Sequence, residues 1–326
     1  MNGSSVKKER RMKDRYDVVV VGAGSAGLSG ALSLGRALRK VLVLDGGAPR
    51  NIRAEHSHNL FTRDGAAPDE LLRIAKKDLE KYETVEVRRG VAVGASGGDG
   101  DFRIELEGGE TIATRKVLLA SGVVDVMPEI PGFAEVWGRG VHHCPFCHGW
   151  ELRGRPLAVY GAGEVVMSRV ELIRNWSRDL IAITDGTKIP EEDREKLTAL
   201  GVPFCEMGIS RIESDRKSGK LRITLGSGSE VEREGIFANP PQEQRSDLAE
   251  MLGCEMEYVE MMRVTTVKAH PMTRETTVGG VFAAGDASIP PAQSLPNSVA
   301  TGSNAGAFMA HALCSEDLAA ELVPAG

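Results

Sequence analysis

Tyr16-Asp17-Val18-Val19-Val20-Val21-Gly22-Ala23-Gly24-Ser25-Ala26-Gly27-Leu28 is the stretch that decides how this chain folds. Four consecutive valines describe a strand buried on both faces, as strands of parallel sheets are. Glycines follow at 22, 24 and 27, and from Leu28 to Leu38 apolar residues recur at helical spacing. Strand, glycine turn and helix in this order open a βαβ unit of the dinucleotide-binding kind. The first glycine makes the turn, the second lets backbone N–H groups approach a pyrophosphate, and the third lets helix and strand pack closely. The next strand, Val41-Leu42-Val43-Leu44-Asp45, ends on a carboxylate 18 residues past Gly27, where it can bind ribose hydroxyls.

The same grammar returns further on. Pro156-Leu157-Ala158-Val159-Tyr160-Gly161-Ala162-Gly163-Glu164 is followed by an amphipathic stretch to Trp176 and a strand over Leu180–Thr184. Two Rossmann-like units in one α/β chain are the natural inference. The second copy is degraded. Val166 stands where the third glycine belongs and is expected to force helix and strand apart. Thr184-Asp185-Gly186 carries no arginine pair to meet a 2′-phosphate. Either this unit keeps the shape and has lost its nucleotide, or it still takes NADPH or NADH. Between the two copies, residues 86–120 hold short alternating pieces that predict antiparallel strands. Gly280-Val281-Phe282-Ala283-Ala284-Gly285-Asp286 repeats strand-then-turn near the end, and Ser298–Leu313 predicts a helix rich in Gly and Ala.

Bulk composition excludes several classes. The 326 residues are 41% hydrophobic and 26% charged, with a net charge of −6, so nothing suggests a basic nucleic-acid face. No run approaches the roughly eighteen apolar residues a membrane span needs. Residues 1–15 are polar and basic without an apolar core, which predicts a disordered leader rather than a signal peptide, and a cytoplasmic protein.

Of five cysteines, only Cys144 and Cys147 are closely spaced, in Cys144-Pro145-Phe146-Cys147. This spacing serves zinc or dithiol redox chemistry. Zinc needs further ligands, and no second pair exists; His142, His143 and His148 lie too close in sequence to complete a tetrahedron easily. The redox reading is preferred over zinc and over an inert buried pair. His148 follows the second cysteine and His143 precedes the first, so each can exchange a proton with a thiol.

Taken together, Gly22–Gly27, a Cys-x-x-Cys just ahead of a second glycine motif, and Val281–Asp286 near the end resemble the low-molecular-weight thioredoxin reductase family from about Tyr16 to Leu313. The resemblance implies two three-layer ββα domains. Residues 16–127 with 258–326 would form an FAD domain, and 128–257 a central domain carrying the cysteines and the degenerate NAD(P)H site. It implies FAD contacts from Gly22, Gly24, Ser25, Ala26, Gly27, Asp45, Gly46, Arg50, Asn59, Ala92, Ala120, Ser121, Gly122, Gly285, Asp286 and Ser298. It also implies a homodimer.

The departures point to one branch. Family reductases place Asp after the second cysteine; here it is His148, followed by Gly149-Trp150-Glu151. His143-Cys144-Pro145-Phe146-Cys147-His148-Gly149 and Thr301-Gly302-Ser303-Asn304-Ala305-Gly306 look like the dithiol oxidases that close the disulfide of gliotoxin-, holomycin- and romidepsin-type natural products. Those enzymes use FAD and molecular oxygen and do not need NADPH. The resemblance therefore implies oxidation of a small-molecule dithiol through Cys144 and Cys147. Rival readings are an NADPH-dependent thioredoxin-like reductase, a relative that takes electrons from ferredoxin or another flavin, and a flavin-bearing redox sensor.

Overall fold

In a computed structural model, residues 15–215, 218–260, 263–288 and 293–323 are described. The leader expected over residues 1–15 lies, apart from Arg15, outside them.

The chain opens with β1 (Tyr16–Val21), α1 (Ser25–Arg36), β2 (Val41–Asp45), α2 (Pro68–Leu79), β3 (Val85–Arg89), β4 (Ala92–Gly98), β5 (Asp101–Leu106), β6 (Thr111–Leu119) and β7 (Val123–Asp125). β1, β2, β3 and β6 form a parallel core in the order β3-β2-β1-β6, and β5 and β4 extend it antiparallel beyond β6. The valine run behaves as its composition demands. Val18 and Val20 face a cluster containing Leu28, Ala31 and Leu34 of α1, while Val19 and Val21 face one containing Phe102 and Ile104.

Next come β8 (Val141–His142), α3 (Pro145–His148), β9 (Leu157–Gly161), α4 (Gly163–Ile173), β10 (Leu180–Thr184), β11 (Phe204–Cys205), β12 (Ile209–Ser214), β13 (Leu221–Leu225), β14 (Glu230–Arg233) and β15 (Gly235–Ala238). A parallel sheet β11-β10-β9-β15-β8 repeats the first architecture, and β12-β13-β14 make a separate antiparallel sheet. Leu157 and Val159 pack on α4 residues Val166 and Val170; Ala158 and Tyr160 pack on Ile212, Leu221 and Ile223 of the antiparallel sheet. Helix, parallel sheet and antiparallel sheet thus form three layers.

The chain closes with β16 (Gln242–Gln244), β17 (Met256–Val259), β18 (Val264–Val267), β19 (Val281–Ala283) and α5 (Leu295–Leu322). β19 joins β6 in parallel, and β17-β18-β16-β7 form a small sheet. α5 carries the Gly/Ala-rich stretch and packs against α1. A Cβ on Gly302 would strike the backbone of Ala26, and one on Gly306 the backbone of Gly30, so these two helices touch main chain to main chain.

The chain divides into two compact units. One holds the residues up to Arg50, Asp69–Val124 and everything from Gln242; the other holds Asn51–Pro68 and Asp125–Pro241. The return to the first unit thus falls at 241/242 rather than at the expected 257/258, because β16 already pairs with β18. The segment 51–68, expected in the first unit, groups with the second: Arg53 donates to the carbonyl of Ala134, and His58 faces Glu151.

Candidate active site

The glycine turn of the first unit is built to receive a phosphate. Gly22 adopts φ +109°, and any Cβ there would collide with the carbonyl of Ala120, so only glycine lets the turn lie against the Ala120–Ser121 backbone. A Cβ on Gly27 would strike the carbonyl of Gly22, which explains the third glycine. Gly24 is different: a Cβ there meets nothing within 4 Å. It is the N-cap of α1, and no side chain caps that helix. Ser25, Ala26 and Gly27 form the first turn, whose backbone N–H groups have no side-chain cap.

Of the other expected cofactor residues of this unit, Gly285 lies against that turn and Asp45 ends the strand beside β1, whereas Ala92 sits on β4, which pairs with β5. Gly285 (φ +70°) abuts Ala26 and lies near Ser298, and its N–H donates to Thr301 Oγ1 at 3.2 Å. Arg50 bridges to Asp286 at 3.0 Å. Asp45, with Gly46 after it, ends β2; its carboxylate accepts from Lys76 Nζ at 2.6 Å and from the Gly47 N–H at 2.8 Å. Burial alone would raise the Asp45 carboxyl, but these hydrogen bonds hold it below the usual carboxylate range, so it is anionic at neutral pH. Gly122 (φ +72°) turns the chain after β6, and Ala92, partly buried, starts β4 packed against the core. Asn59 stands apart, in the 51–68 segment of the second unit, where its N–H donates to Asp64 Oδ1 at 2.7 Å. An open glycine turn, an uncapped helix N-terminus and an anionic carboxylate at the next strand fit the diphosphate and ribose of FAD.

The second glycine turn has the same outline and a different content. Gly163 starts α4 as Gly24 precedes α1, but its N–H donates to Thr187 Oγ1 at 2.7 Å. A Cβ on Gly163 would run into the backbone of Lys188 and Ile189. The loop after β10 therefore lies across the helix start. It is fixed there by Thr184 Oγ1, which donates to the Thr187 carbonyl at 2.7 Å, and by Glu206, which accepts from the Ile189 N–H at 2.6 Å and from Arg194. Val166 does not force helix and strand apart as expected; it is fully buried between them, beside Val159, Val170 and Phe237.

Cys144 and Cys147 form a disulfide with Cα atoms 5.3 Å apart. Cys144 is the N-cap of the single-turn helix α3, with Pro145 at its first position, and both cysteines are half-buried. Gly149 follows this turn, and a side chain there would strike the Pro145 carbonyl and the Trp176 ring. Arg169 of α4 braces the segment from below, Nη2 donating to the carbonyl of half-buried His143 at 3.2 Å, and burial pushes its guanidinium down to about 10. Phe146, between the cysteines, meets Trp176 edge-on at 5.5 Å.

His148 closes the single-turn helix that Cys144 opens, one residue past Cys147, and its Nδ1 is buried without a hydrogen-bond partner. Burial depresses its imidazole below the usual range, outweighing the opposing pull of Glu151, so it is unprotonated at neutral pH. One face of the ring is covered by His142, stacked at 4.1 Å with 27° between planes. His142 is 6% exposed, and burial, with His148 beside it, drives its imidazole down to about 3. His58 lies with Nε2 3.6 Å from Glu151 Oε1 and Nδ1 3.6 Å from Asp64 Oδ1. His58, Glu151, Arg169 and Thr187 carry no signal in the sequence; only the fold brings them to these places.

Two nucleotide-type units, one with an open glycine turn and one bearing a redox disulfide flanked by a neutral histidine, define a flavoprotein thiol–disulfide oxidoreductase. The chain belongs to the pyridine nucleotide-disulphide oxidoreductase family, whose profile matches residues 16–306, and this family's thioredoxin reductase-like members bind FAD. It is 34% identical over 325 residues to the thioredoxin reductase sirT of Leptosphaeria maculans, covering 94% of this chain and 96% of that one. Among solved structures it is similar to HlmI (35% identity, 94% and 95% of the two chains, TM-score 0.86) and to an oxidoreductase from Agrobacterium tumefaciens (33%, 92% and 99%, TM-score 0.85). No helix among the described residues is long and apolar enough to cross a membrane.

Proposed function

We propose that this chain is an FAD-dependent dithiol oxidase that closes an intramolecular disulfide in a small natural-product-type dithiol. Molecular oxygen is the final acceptor, and the enzyme works as a cytoplasmic homodimer. The contrast between the two glycine turns carries this reading. The first is open at Gly24; the second is filled at Gly163 by Thr187–Ile189, with Glu164 placing a carboxylate on the helix turn where a pyrophosphate would sit. A reductase must load NADPH there. An oxidase draws its electrons from the substrate and has no use for that site. Full-length similarity to HlmI and to sirT supports thiol–disulfide oxidoreductase chemistry, which both readings share.

A substrate thiolate attacks one sulfur of the Cys144–Cys147 disulfide, forming a mixed disulfide and releasing the other cysteine as a thiolate. His148, neutral and adjacent, takes the proton of the second substrate thiol. That sulfur attacks the substrate sulfur of the mixed disulfide, so the substrate leaves oxidised and both cysteines are reduced. His143 lies on the other flank of the pair as a second proton carrier. FAD, when bound, would supply the two-electron acceptor for the reduced cysteines, with Cys147 as donor, so that the two electrons and two protons of the substrate thiols end on oxygen as hydrogen peroxide. The α1 N-terminus with Gly22, Gly24 and Gly27 would hold its diphosphate, Asp45 its ribose, and Asp286, steadied by Arg50, its ribityl chain.

The name of the sirT relative favours a second reading, an NADPH-dependent disulfide reductase. Anaerobic mixing separates the two. Dithiothreitol is expected to bleach the flavin within seconds while NADPH and NADH leave it oxidised; rapid bleaching by NADPH with none by the dithiol ends the oxidase reading.

A further inference from the structure

A cation drawn away from water needs an anion or a full set of hydrogen-bond acceptors, because an uncompensated charge there is costly. Arg194 has the Glu206 carboxylate at 2.7 Å. Arg274 has acceptors instead: the Ala283 carbonyl at 3.3 Å, the Ser288 carbonyl at 3.0 Å and Ser288 Oγ at 2.7 Å. Arg169 of α4 has neither. Its side chain is partly buried, and its Nε lies out of solvent with no hydrogen-bond partner. Among the described residues no carboxylate pairs with it, and burial alone accounts for its lowered guanidinium. Its Nη2 donates to the His143 carbonyl at 3.2 Å. The carbon of that carbonyl is bonded to the amide nitrogen of Cys144. Standard bond lengths therefore keep Nη2 within about 9 Å of Cys144 Sγ.

We propose that Arg169 is the countercharge of the Cys144 thiolate, a cation held without an anion in the oxidised chain that gains one each time the pair is reduced. In the disulfide both sulfurs are neutral. When a substrate is carried on Cys144, its second sulfur attacks the first. The bond from that first sulfur to Cys144 breaks, and the electron pair stays on Cys144 Sγ as a thiolate. No further reactant is needed. A nearby cation makes Cys144 a better leaving group and the disulfide a stronger oxidant, since it favours the reduced form. The effect belongs to the pair, whichever way electrons flow, and does not rest on the oxidase reading.

The other titratable groups around this segment do not supply the charge. They are His142, His143 and His148 of the segment itself, Glu151 beyond it, and His58. Burial holds His142 and His148 neutral, and Glu151 has no positive form. Among them and Arg169, only the guanidinium is a permanent cation.

The test is the redox equilibrium of the pair. FAD-loaded full-length wild type, Arg169→Met and Arg169→Lys are equilibrated anaerobically in glutathione buffers at pH 7 and pH 9 and quenched in acid. Maleimide tagging and peptide mass then read the state of Cys144 and Cys147. A unit charge about 9 Å away, at an effective dielectric constant near 20, shifts such an equilibrium on the order of tenfold. Arg169→Met should therefore favour the disulfide about tenfold over wild type at pH 9, where the freed thiol is ionised; this corresponds to about 30 mV. The shift should shrink at pH 7, where more of the thiol is protonated in both proteins. Arg169→Lys keeps the charge and should stay within about threefold of wild type at either pH. Three results overturn the proposal: no shift in Arg169→Met, a shift equal at both pH values as loss of a mere brace would give, or a lysine variant that behaves like the methionine one. If Arg169→Met fails to fold, the reduced wild type decides. Its Cys144 should react with iodoacetamide at pH 7 about threefold faster in the folded chain than in the urea-unfolded chain, and a folded rate no greater overturns the proposal. Failure of the oxidase reading would show in the anaerobic flavin assay and would leave these equilibria unchanged.

Discussion

Replacing His142 with Phe tests whether a neutral, deeply buried imidazole forms the back wall of the active site. The aromatic ring and its stack on His148 are kept; the titratable nitrogens are removed. In the folded chain His142 stays neutral down to pH of about 3, whereas the free side chain titrates at 6.5. Between those values the unfolded chain binds a proton that the folded chain refuses, so stability falls as pH falls through 6.5 and continues to fall toward 3. At pH 5 the two values predict a loss of ~2 kcal/mol relative to pH 7.5. That corresponds to roughly 4–8 °C in Tm for a unit of this size. His142→Phe should lack this component. It should also be no less stable than wild type at pH 7.5, because the buried Nδ1 of His142 has no hydrogen-bond partner and an unsatisfied buried polar atom costs about 1–3 kcal/mol. The readout is local. All three tryptophans, Trp137, Trp150 and Trp176, belong to the second unit, so intrinsic fluorescence follows the unfolding of that unit. Urea unfolding of both proteins at pH 7.5 and pH 5 should show the stability gap widening in favour of the variant by ~2 kcal/mol. A gap that stays constant within about 0.5 kcal/mol means His142 takes up its proton in the folded state and is not the neutral wall described here.

Two further substitutions test the frame around the cofactor. Gly24→Ala adds a methyl group that meets no protein atom, so the apo protein should unfold like wild type while the flavin absorbance retained per chain falls; Gly27→Ala should lose flavin and also ~1–3 kcal/mol of stability, because its Cβ strikes the Gly22 carbonyl. Full flavin occupancy in Gly24→Ala would show that the helix start does not receive the phosphate. Lys116 is 1% exposed and paired with Asp99 and Glu316. Lys116→Met leaves two carboxylates that are themselves 51% and 36% exposed and should change stability by less than about 1 kcal/mol, whereas Asp99→Asn with Glu316→Gln strands the buried ammonium and should cost about 3–5 kcal/mol in urea unfolding.

What could be read from the sequence follows from the range over which each signal acts. The valine run, the glycines at 22, 24 and 27 and the Cys-x-x-Cys are local patterns, and each maps onto the element it predicted, because strand burial, a positive-φ turn and a four-residue disulfide loop are decided within a few residues. The meaning of the second glycine motif was only half legible. Val166 looked like the defect, yet it packs quietly in the core; the closure comes from Thr187 and Lys188, which follow a different strand and become neighbours of Gly163 only because β9 and β10 pair. His58 is a stronger case, brought to Glu151 from ninety-three positions away by the grouping of 51–68 with the second unit. The residues that bias the chemistry toward oxidation are therefore not those of the redox motif. Cys144 and Cys147 alone are compatible with electrons flowing either way, since thiol–disulfide exchange is reversible. Direction is set by which partner can reach the site. A chain that fills its own nucleotide turn, and keeps the histidine beside its cysteine pair neutral against a buried imidazole wall, is arranged to accept electrons and protons from a thiol substrate rather than to deliver them.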